Sequence, residues 1–125
     1  MASIKKFTDI IAWQKGHALV LSVYNLTDSM PHKEQFGLQS QIRRAVVSIT
    51  SNIAEGFERG SSKEFIQFLI IARASLAETQ NQLLIARDLK YLSRADFDQL
   101  AADSIEVHKI LNGFIKSLRT SKLAN

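Results

Sequence analysis

Apolar residues recur along this chain at helical spacing, and no segment shows the two-residue alternation of a strand bounded by hairpin turn residues. In residues 62–90 the apolar positions are separated by alternating steps of four and three, a heptad seam typical of bundle helices: Phe65, Leu69, Ala72, Leu76, Thr79, Leu83 and Ala86. Residues 34–55 carry a comparable stripe: Leu38, Ile42, Ala45, Val46, Ile49 and Ile53. Both segments are predicted to be long helices.

Two further segments show the same kind of pattern. In residues 8–29, with Thr8 as a plausible N-cap, the apolar side is formed by Ile10, Trp13, Val20, Val23, Tyr24 and Leu26. In residues 94–119 the seam consists of Phe97, Leu100, Ser104, Val107, Leu111, Phe114 and Leu118. The chain is therefore predicted to contain four long helices.

Turn and cap residues separate these helices. Pro31 closes the first helix, and Gly56 is expected to stop the second one in a left-handed conformation. Ser61 with Glu64, and Ser93 with Asp96, have the spacing of helix N-terminal caps. Because the links are short, neighbouring helices must run antiparallel. The prediction is an all-α protein, a single domain over residues 1–125, folded as an antiparallel up-down-up-down four-helix bundle.

Composition narrows the functional classes. The chain has no cysteine, which excludes disulfides and thiolate chemistry and fits a cytoplasmic location. The lysines near the N-terminus are not followed by an apolar region, so no secretory signal is expected. No run of 18 apolar residues predicts a membrane span.

Two helix surfaces carry residues that the core of a monomeric bundle does not require. Beside the heptad seam the third helix has additional apolar residues, and the back of the second helix carries mainly small polar ones. We expect these residues to form an oligomer interface: Ile66, Ile70, Ile71, Ala77, Ser40, Arg44, Ser48 and Ser51. The alternatives are that neighbouring helices cover the third helix completely and that the back of the second is an ordinary solvated face.

Catalytic chemistry is not expected. The three histidines, His17, His32 and His108, are scattered, and no pair of them has metal-ligand spacing. No nucleophile-elbow or phosphate-loop sequence is present. The chain is predicted to be a non-enzyme without metal or cofactor.

Positive charge collects at one end of the predicted bundle. The formal net charge is +4. The end formed by the start of the first helix, the link between the second and third, and the end of the fourth holds seven basic residues against four acidic ones. Together with three residues on the wall, they form a candidate nucleic-acid surface: Lys5, Lys6, Lys15, Arg43, Arg44, Arg59, Lys63, Lys116, Arg119 and Lys122. The alternative is that they are solvated charges that aid solubility.

Several runs of residues resemble a known family. The runs are Trp13-Gln14-Lys15, Gln41-Ile42-Arg43-Arg44-Ala45 and Ser51-Asn52-Ile53-Ala54-Glu55-Gly56, followed by matches around Glu64-Phe65 and Ile71-Ala72-Arg73. Over about Ile4 to Leu118 the chain resembles the bacterial four-helix bundle family named for proteins encoded in intervening sequences of 23S ribosomal RNA genes. It is also similar to the accessory variability protein of diversity-generating retroelements.

The resemblance implies a homo-oligomeric ring, typically a homopentamer, that binds RNA or DNA and possesses no enzymatic activity. A protein partner is also implied by the second likeness. Arg43 and Arg44 match a family motif, and they serve either nucleic acid or a subunit interface. The alternative function is a protein-binding or scaffolding bundle with no role in nucleic-acid binding.

Overall fold

A computed structural model describes residues 3–121 of the chain. Its four long helices are α1, Ile11–Thr27; α2, Leu38–Phe57; α3, Ser62–Asp88; and α4, Arg94–Thr120. Short 3-10 turns at Phe7–Asp9 and His32–Glu34 precede α1 and α2, and residues 3–121 contain no β-strand.

The helices pack as a closed cycle. Helix α1 packs against α2 and α4, and α3 packs against the same two helices, so each long helix has two neighbours. Their inward faces form one apolar core. The prediction of an all-α four-helix bundle is confirmed, and the short links between successive helices give it antiparallel order.

The seams predicted for α2 and α3 lie in the core. On α3 every predicted position from Leu69 to Ala86 is buried, and Phe65 packs against the core. On α2 every predicted position from Ile42 to Ile53 is buried, and Leu38 is half-buried at the helix start. A strict heptad spacing keeps one line of side chains facing the bundle axis, which is why the pattern identifies them correctly.

The predicted stripe of α1 is partly wrong. The buried residues of this helix are Ala12, Gly16, Leu19, Val23 and Thr27, whereas Tyr24 is exposed. A Cβ atom added to Gly16 would lie 3.1 Å from Thr50 Cγ2, so α1 approaches α2 closely at that point. Small residues mark the contact side of α1, and a search for large apolar side chains does not detect them.

Two predicted helix starts also need correction. Helix α1 begins at Ile11 instead of Thr8, because the Asp9 carboxylate accepts hydrogen bonds from the Lys5 and Lys6 backbone N–H groups and folds this segment into a 3-10 turn. Helix α2 begins at Leu38 instead of Glu34. The Glu34 carboxylate accepts the Leu38 backbone N–H at 3.1 Å, which places Glu34 in the turn before the helix.

The two predicted serine caps are confirmed. The Ser61 hydroxyl accepts the Glu64 backbone N–H at 3.2 Å, and the Ser93 hydroxyl accepts that of Asp96 at 3.1 Å. These bonds satisfy backbone donors that have no partner inside the first turn of a helix. They fix where α3 and α4 begin.

Gly56 does not end α2 in a left-handed conformation, since no glycine among the described residues has a positive φ. It lies inside the helix, where an added Cβ would be 2.6 Å from Phe68 Cβ. Its missing side chain lets α2 and α3 approach each other. The left-handed residue is Lys90, φ 63°, at the end of α3. There the Tyr91 N–H bonds to Ala86 and the Lys90 N–H to Arg87, as in a Schellman motif.

Candidate nucleic-acid interface

Aromatic packing assembles the predicted basic end. The Phe65 ring lies 6.1 Å from the ring of Phe57 and 5.4 Å from that of Phe114, which joins the end of α2, the start of α3 and the last turns of α4. Ile10, at the start of α1, borders the same cavity as Phe114. The structure therefore brings together the three chain segments that were predicted to form the basic end of the bundle.

Three of the predicted cations form contacts within the chain. Lys15 Nζ lies 3.8 Å from a Glu106 carboxylate oxygen, and Arg59 Nη2 lies 2.7 Å from one of Glu55. The Arg59 guanidinium also stacks over the Phe68 ring at 4.8 Å. Arg43 pairs with Asp28 at 3.5 Å. These contacts lower the field that the three side chains present to a ligand.

The other described cations of the predicted set are exposed and form no ion pair with any residue in 3–121. They are Lys5, Lys6, Arg44, Lys63, Lys116 and Arg119. Lys122 lies outside the described residues. Arg44 is on the wall near the other end of the bundle, and the remaining five lie at the basic end. Their charges are available to a polyanion.

Three of the four acidic residues at this end have local structural partners. The two backbone N–H groups of Lys5 and Lys6 lower the pKa of the Asp9 carboxyl. Asp9 therefore remains ionised and holds the backbone that carries both lysines. Glu55 is paired with Arg59, and Glu64 belongs to the cap of α3. Of the four acids only Glu55 forms an ion pair among residues 3–121, and Glu58 is exposed, so five unpaired cations share this end with three unpaired acids.

The predicted oligomer interface divides into two parts. On α3, Ile71 and Ala77 are exposed, whereas Ile66 and Ile70 are half-buried against the core. On α2, Arg44 and Ser51 are exposed and Ser40 is half-buried. The back of α2 is not a wholly free face, because the hydroxyl oxygens of Ser48 and Ser75 share a hydrogen bond at 2.8 Å inside the subunit.

Sequence reasoning missed a groove between α3 and α4. Leu84 and Ile105, 41% and 51% exposed, border a cavity of about 150 Å³ that is also lined by Phe97 and Ala101. Inside it, the Gln80 amide donates to the Ser104 hydroxyl at 3.2 Å. Leu84 lies beside the predicted seam of α3, and Ile105 lies off the predicted seam of α4, so neither belongs to a predicted seam.

Sequence reasoning also missed Phe36 in the link between α1 and α2. Its side chain is 89% exposed, the highest value among the large apolar residues that the structure describes. Tyr24, assigned to the core of α1, is 42% exposed nearby. The available signal was an aromatic residue directly before Gly37, outside every helical stripe.

The histidines lie apart in the structure. His17 stacks on the Trp13 ring at a centroid distance of 4.7 Å, His32 begins a 3-10 turn, and His108 is half-buried on α4. No group of three potential metal-binding side chains occurs within residues 3–121. Over the same residues, none of the helices is both long and apolar enough to traverse a bilayer.

Comparison with known proteins identifies relatives of this arrangement. A family model for 23S rRNA-intervening sequence proteins matches residues 8–113. A solved structure from Bacteroides thetaiotaomicron VPI-5482, a protein of unknown function from the S23 ribosomal protein family, is similar with a TM-score of 0.79 and 28% sequence identity. The similarity covers 87% of this chain and 98% of that one. No curated protein matches the chain.

Proposed function

The chain belongs to the 23S rRNA-intervening sequence protein family, and from this premise we propose that it is a non-enzymatic homo-oligomer that binds nucleic acid. The proposed assembly is a pentameric ring in the cytoplasm, and the proposed ligand is RNA in the first place. The observation that carries this proposal is the group of unpaired cations at one end of the bundle.

Three of these cations form the centre of the proposed contact. Lys63 lies in the first turn of α3, and Lys116 and Arg119 lie in the last turns of α4, on either side of the Phe65–Phe114 pair. A single subunit presents too few charges for firm binding to a polyanion. A ring repeats the cluster around its axis, and linked sites bind much more tightly than separate ones.

The outer face of α3 supports the assembly. Its exposed residues towards α4, Ala77 and Leu84, are joined across the groove by Ile105 of α4, whereas Ile71 lies about 140° around the helix from Leu84. Burial of such a surface is worth roughly 25 cal/mol per Å² of apolar area. A second copy of the chain would remove this surface from water, and five copies are the number that the family likeness implies.

A protein-binding scaffold is the second candidate, favoured by the apolar groove between α3 and α4. In that case the groove receives a segment of another protein, and the basic end contributes only solubility. The two candidates differ in what reversal of the basic cluster does to nucleic-acid binding.

The first experiment is light scattering on a size-exclusion column with absorbance at 260 and 280 nm. A mass near five times the 14.0 kDa chain, about 70 kDa, is expected for the ring. Nucleic acid that co-elutes at low salt and leaves at high salt is expected for the binding function. A 14.0 kDa monomer without nucleic acid would contradict both parts.

The second experiment reverses Lys63, Lys116 and Arg119 together to glutamate. If each contacts one phosphate, the slope of log affinity against log salt should fall by about 2 for a single strand. The matched control is the single reversal of Lys109, an exposed lysine in the middle of α4 with no ion pair among residues 3–121, compared with reversal of Lys116 alone, which changes the net charge equally. Equal losses in the two single variants would show that net charge alone matters, and unchanged binding in the triple variant would favour the scaffold.

Assembly is tested by Ile70→Glu and Leu84→Glu, with Leu21→Glu on α1 as the control. The first two place a carboxylate on the apolar side of α3 and should yield helical monomers in light scattering and circular dichroism. Leu21 is similarly exposed but lies on another helix, so its variant should retain the assembly mass. An unchanged mass for all three variants would exclude this interface.

A further inference from the structure

A second candidate site lies at the other end of the bundle, where the end of α1 meets the start of α2. It is a shallow depression of about 420 Å³. Two aromatic residues, two arginines and three uncharged polar residues line it: Tyr24, Phe36, Arg43, Arg44, Gln35, Gln39 and Ser40. None of the apolar groove residues of α3 and α4 takes part.

Hydrogen bonds order the backbone on both sides of the exposed Phe36 ring. The Gln35 N–H bonds to the His32 carbonyl and the Gly37 N–H to that of Glu34, both at 3.0 Å. The Glu34 carboxylate then accepts the Leu38 N–H at the start of α2. Hydrogen bonds on both sides of Phe36 present the phenyl group to solvent from an ordered turn.

Tyr24 forms the second aromatic surface, and Arg43 holds it. The Arg43 guanidinium carbon lies 4.6 Å from the centre of the Tyr24 ring. Its nitrogens donate to the Thr27 hydroxyl at 3.1 Å and to the Tyr24 carbonyl at 3.0 Å. Arg43 is therefore a positioning residue that orders the floor of the depression.

Arg44 is the available cation of the site. It is exposed and has no ion-pair partner among residues 3–121, whereas Asp28, the closest acid along α1, is paired with Arg43. The second nearby acid, Glu34, accepts hydrogen bonds from Leu38 and from the Tyr91 hydroxyl. Arg44 can thus receive an anion without displacing an internal contact.

We propose that this depression binds unpaired nucleotides of a single-stranded nucleic acid, a ligand class that deepens and rests on the proposed function. Exposed aromatic rings stack on bases of any sequence, and an arginine beside them neutralises the phosphate backbone. The amides of Gln35 and Gln39 suit the polar edges of splayed bases. A regular duplex offers neither unstacked base faces nor free edges to Phe36.

The side chains around Phe36 favour this ligand over a protein. An aromatic residue that docks on another subunit is typically surrounded by apolar neighbours that exclude water. Here the neighbours are guanidinium, amide and hydroxyl groups, and Tyr24 is the other exposed ring. The competing possibility is that Phe36 docks on a second copy of the chain, and the test below distinguishes the two.

The test compares Phe36→Ala with the unchanged chain by fluorescence anisotropy. The probes are a labelled twelve-nucleotide oligouridylate and a labelled RNA hairpin without unpaired ends. Loss of one stacked base should weaken binding of the single strand roughly tenfold or more, with little change for the hairpin stem. Leu21→Ala, which removes another exposed apolar side chain, 58% exposed against 89% for Phe36, should leave both affinities unchanged.

Two further measurements locate the contact. Arg44→Ala should weaken single-strand binding and reduce the salt slope by about 0.7, the share of one phosphate. Ultraviolet crosslinking to an oligonucleotide that contains 4-thiouridine should label the peptides with Tyr24 or Phe36. Labelling only of peptides with Lys63 or Lys116 would overturn the site.

The outcomes separate this site from the proposed function. If Phe36→Ala binds the oligouridylate as well as the unchanged chain does, while reversal at Lys63, Lys116 and Arg119 abolishes binding, the site is rejected and the function stands. If the unchanged chain binds neither probe at any salt concentration, the function itself fails. A reduced assembly mass for Phe36→Ala in light scattering would identify a subunit contact and overturn the nucleotide site.

Discussion

Helix α3 meets its two neighbours in different ways. Towards α2 the helices approach so closely that Gly56 has no room for a side chain, and Ser48, Asn52 and Ser75 form a hydrogen-bonded cluster between them. Towards α4 longer polar side chains span the gap: Gln80 to Ser104 and Arg73 to Asn112. The apolar groove beside Leu84 and Ile105 remains open there.

The difference indicates which contacts are completed within one subunit. Small residues bring α2 and α3 together until little surface is left between them. Large apolar residues on the α4 side remain partly exposed, as expected of a surface that another copy covers. Changes on the α2 side should therefore affect folding, and changes on the α4 side should affect assembly more than folding.

The largest expected effect comes from Gly56→Ala. The added methyl group would lie 2.6 Å from Phe68 Cβ, which cannot move without its helix, so α2 and α3 must separate. We expect a loss of about 2 kcal/mol in the free energy of unfolding, typical of an overpacked core. Urea titration followed by circular dichroism measures it.

Gly113→Ala is the matched control for that substitution. This glycine is exposed on α4, and an added Cβ meets nothing within 4 Å. Alanine favours helix over glycine by about 1 kcal/mol, so the control should be more stable than the unchanged chain. Stabilisation by Gly56→Ala as well would show that the close approach of α2 and α3 is not required.

A smaller effect is expected for Ser75→Ala, which removes the partner of Ser48 between α2 and α3. Loss of this part-buried hydrogen bond should lower the free energy of unfolding by about 1 kcal/mol relative to Ser117→Ala, an exposed serine on α4. Both substitutions change helix propensity equally, so their difference in urea unfolding isolates the bond. Equal stabilities would mean that the serine pair contributes nothing.

On the α4 side, Arg73→Ala should change the free energy of unfolding by less than about 0.5 kcal/mol, because its bond to Asn112 is exposed. Urea unfolding measures this change, and light scattering on the same samples reports the assembly mass. A loss as large as that of Ser75→Ala would remove the contrast between the two sides of α3.

The smallest expected effect lies beyond the end of α3, where the Tyr91 hydroxyl donates to the Glu34 carboxylate at 2.9 Å. The Leu38 N–H and this hydroxyl lower the pKa of the Glu34 carboxyl. Their stabilisation is therefore present above the unfolded pKa and is lost as the pH falls through the depressed one. Tyr91→Phe should lower the melting temperature slightly at pH 7, and the difference should vanish once the pH is below the depressed pKa of the Glu34 carboxyl.

At alkaline pH the stabilisation by the Tyr91–Glu34 contact depends on pH in the opposite direction. The Glu34 carboxylate raises the pKa of the Tyr91 hydroxyl, so the contact is intact below the usual tyrosine pKa and is lost as the pH rises through the raised value. Melting curves of Tyr91→Phe and the unchanged chain should converge at both extremes of pH. A difference that is constant across the range would mean that Tyr91 acts through ring packing alone.

The sequence predicted the fold where large apolar residues repeat strictly, as they do from Leu69 to Ala86. It failed on α1, because Ala12 and Gly16 form the contact side and carry almost no hydrophobic signal. It placed a left-handed stop at Gly56, where glycine instead permits close packing. Steric fit between two helices depends on their separation, which a pattern along one chain does not contain.

The candidate sites show a similar division. Topology alone brought Lys63, Lys116 and Arg119 to one end, since short links fix which helix termini meet. It did not show that Arg59 pairs with Glu55 or that Arg43 is held over Tyr24, because those contacts depend on side-chain rotamers. Phe36 was overlooked because the predicted helix began at Glu34 and left this residue off its apolar stripe, whereas the structure places it in the link before α2.

The run from Asn52 to Gly56, by which the sequence most specifically resembles its family, serves the architecture of the bundle. Asn52 bonds to Ser48, Ile53 is in the core, and Gly56 lies against Phe68. The residues that identify the family in this chain are thus residues that determine the fold. The proposed contact residues, Phe36, Lys63, Lys116 and Arg119 among them, all lie outside that run, so they could change without altering the fold that the run supports.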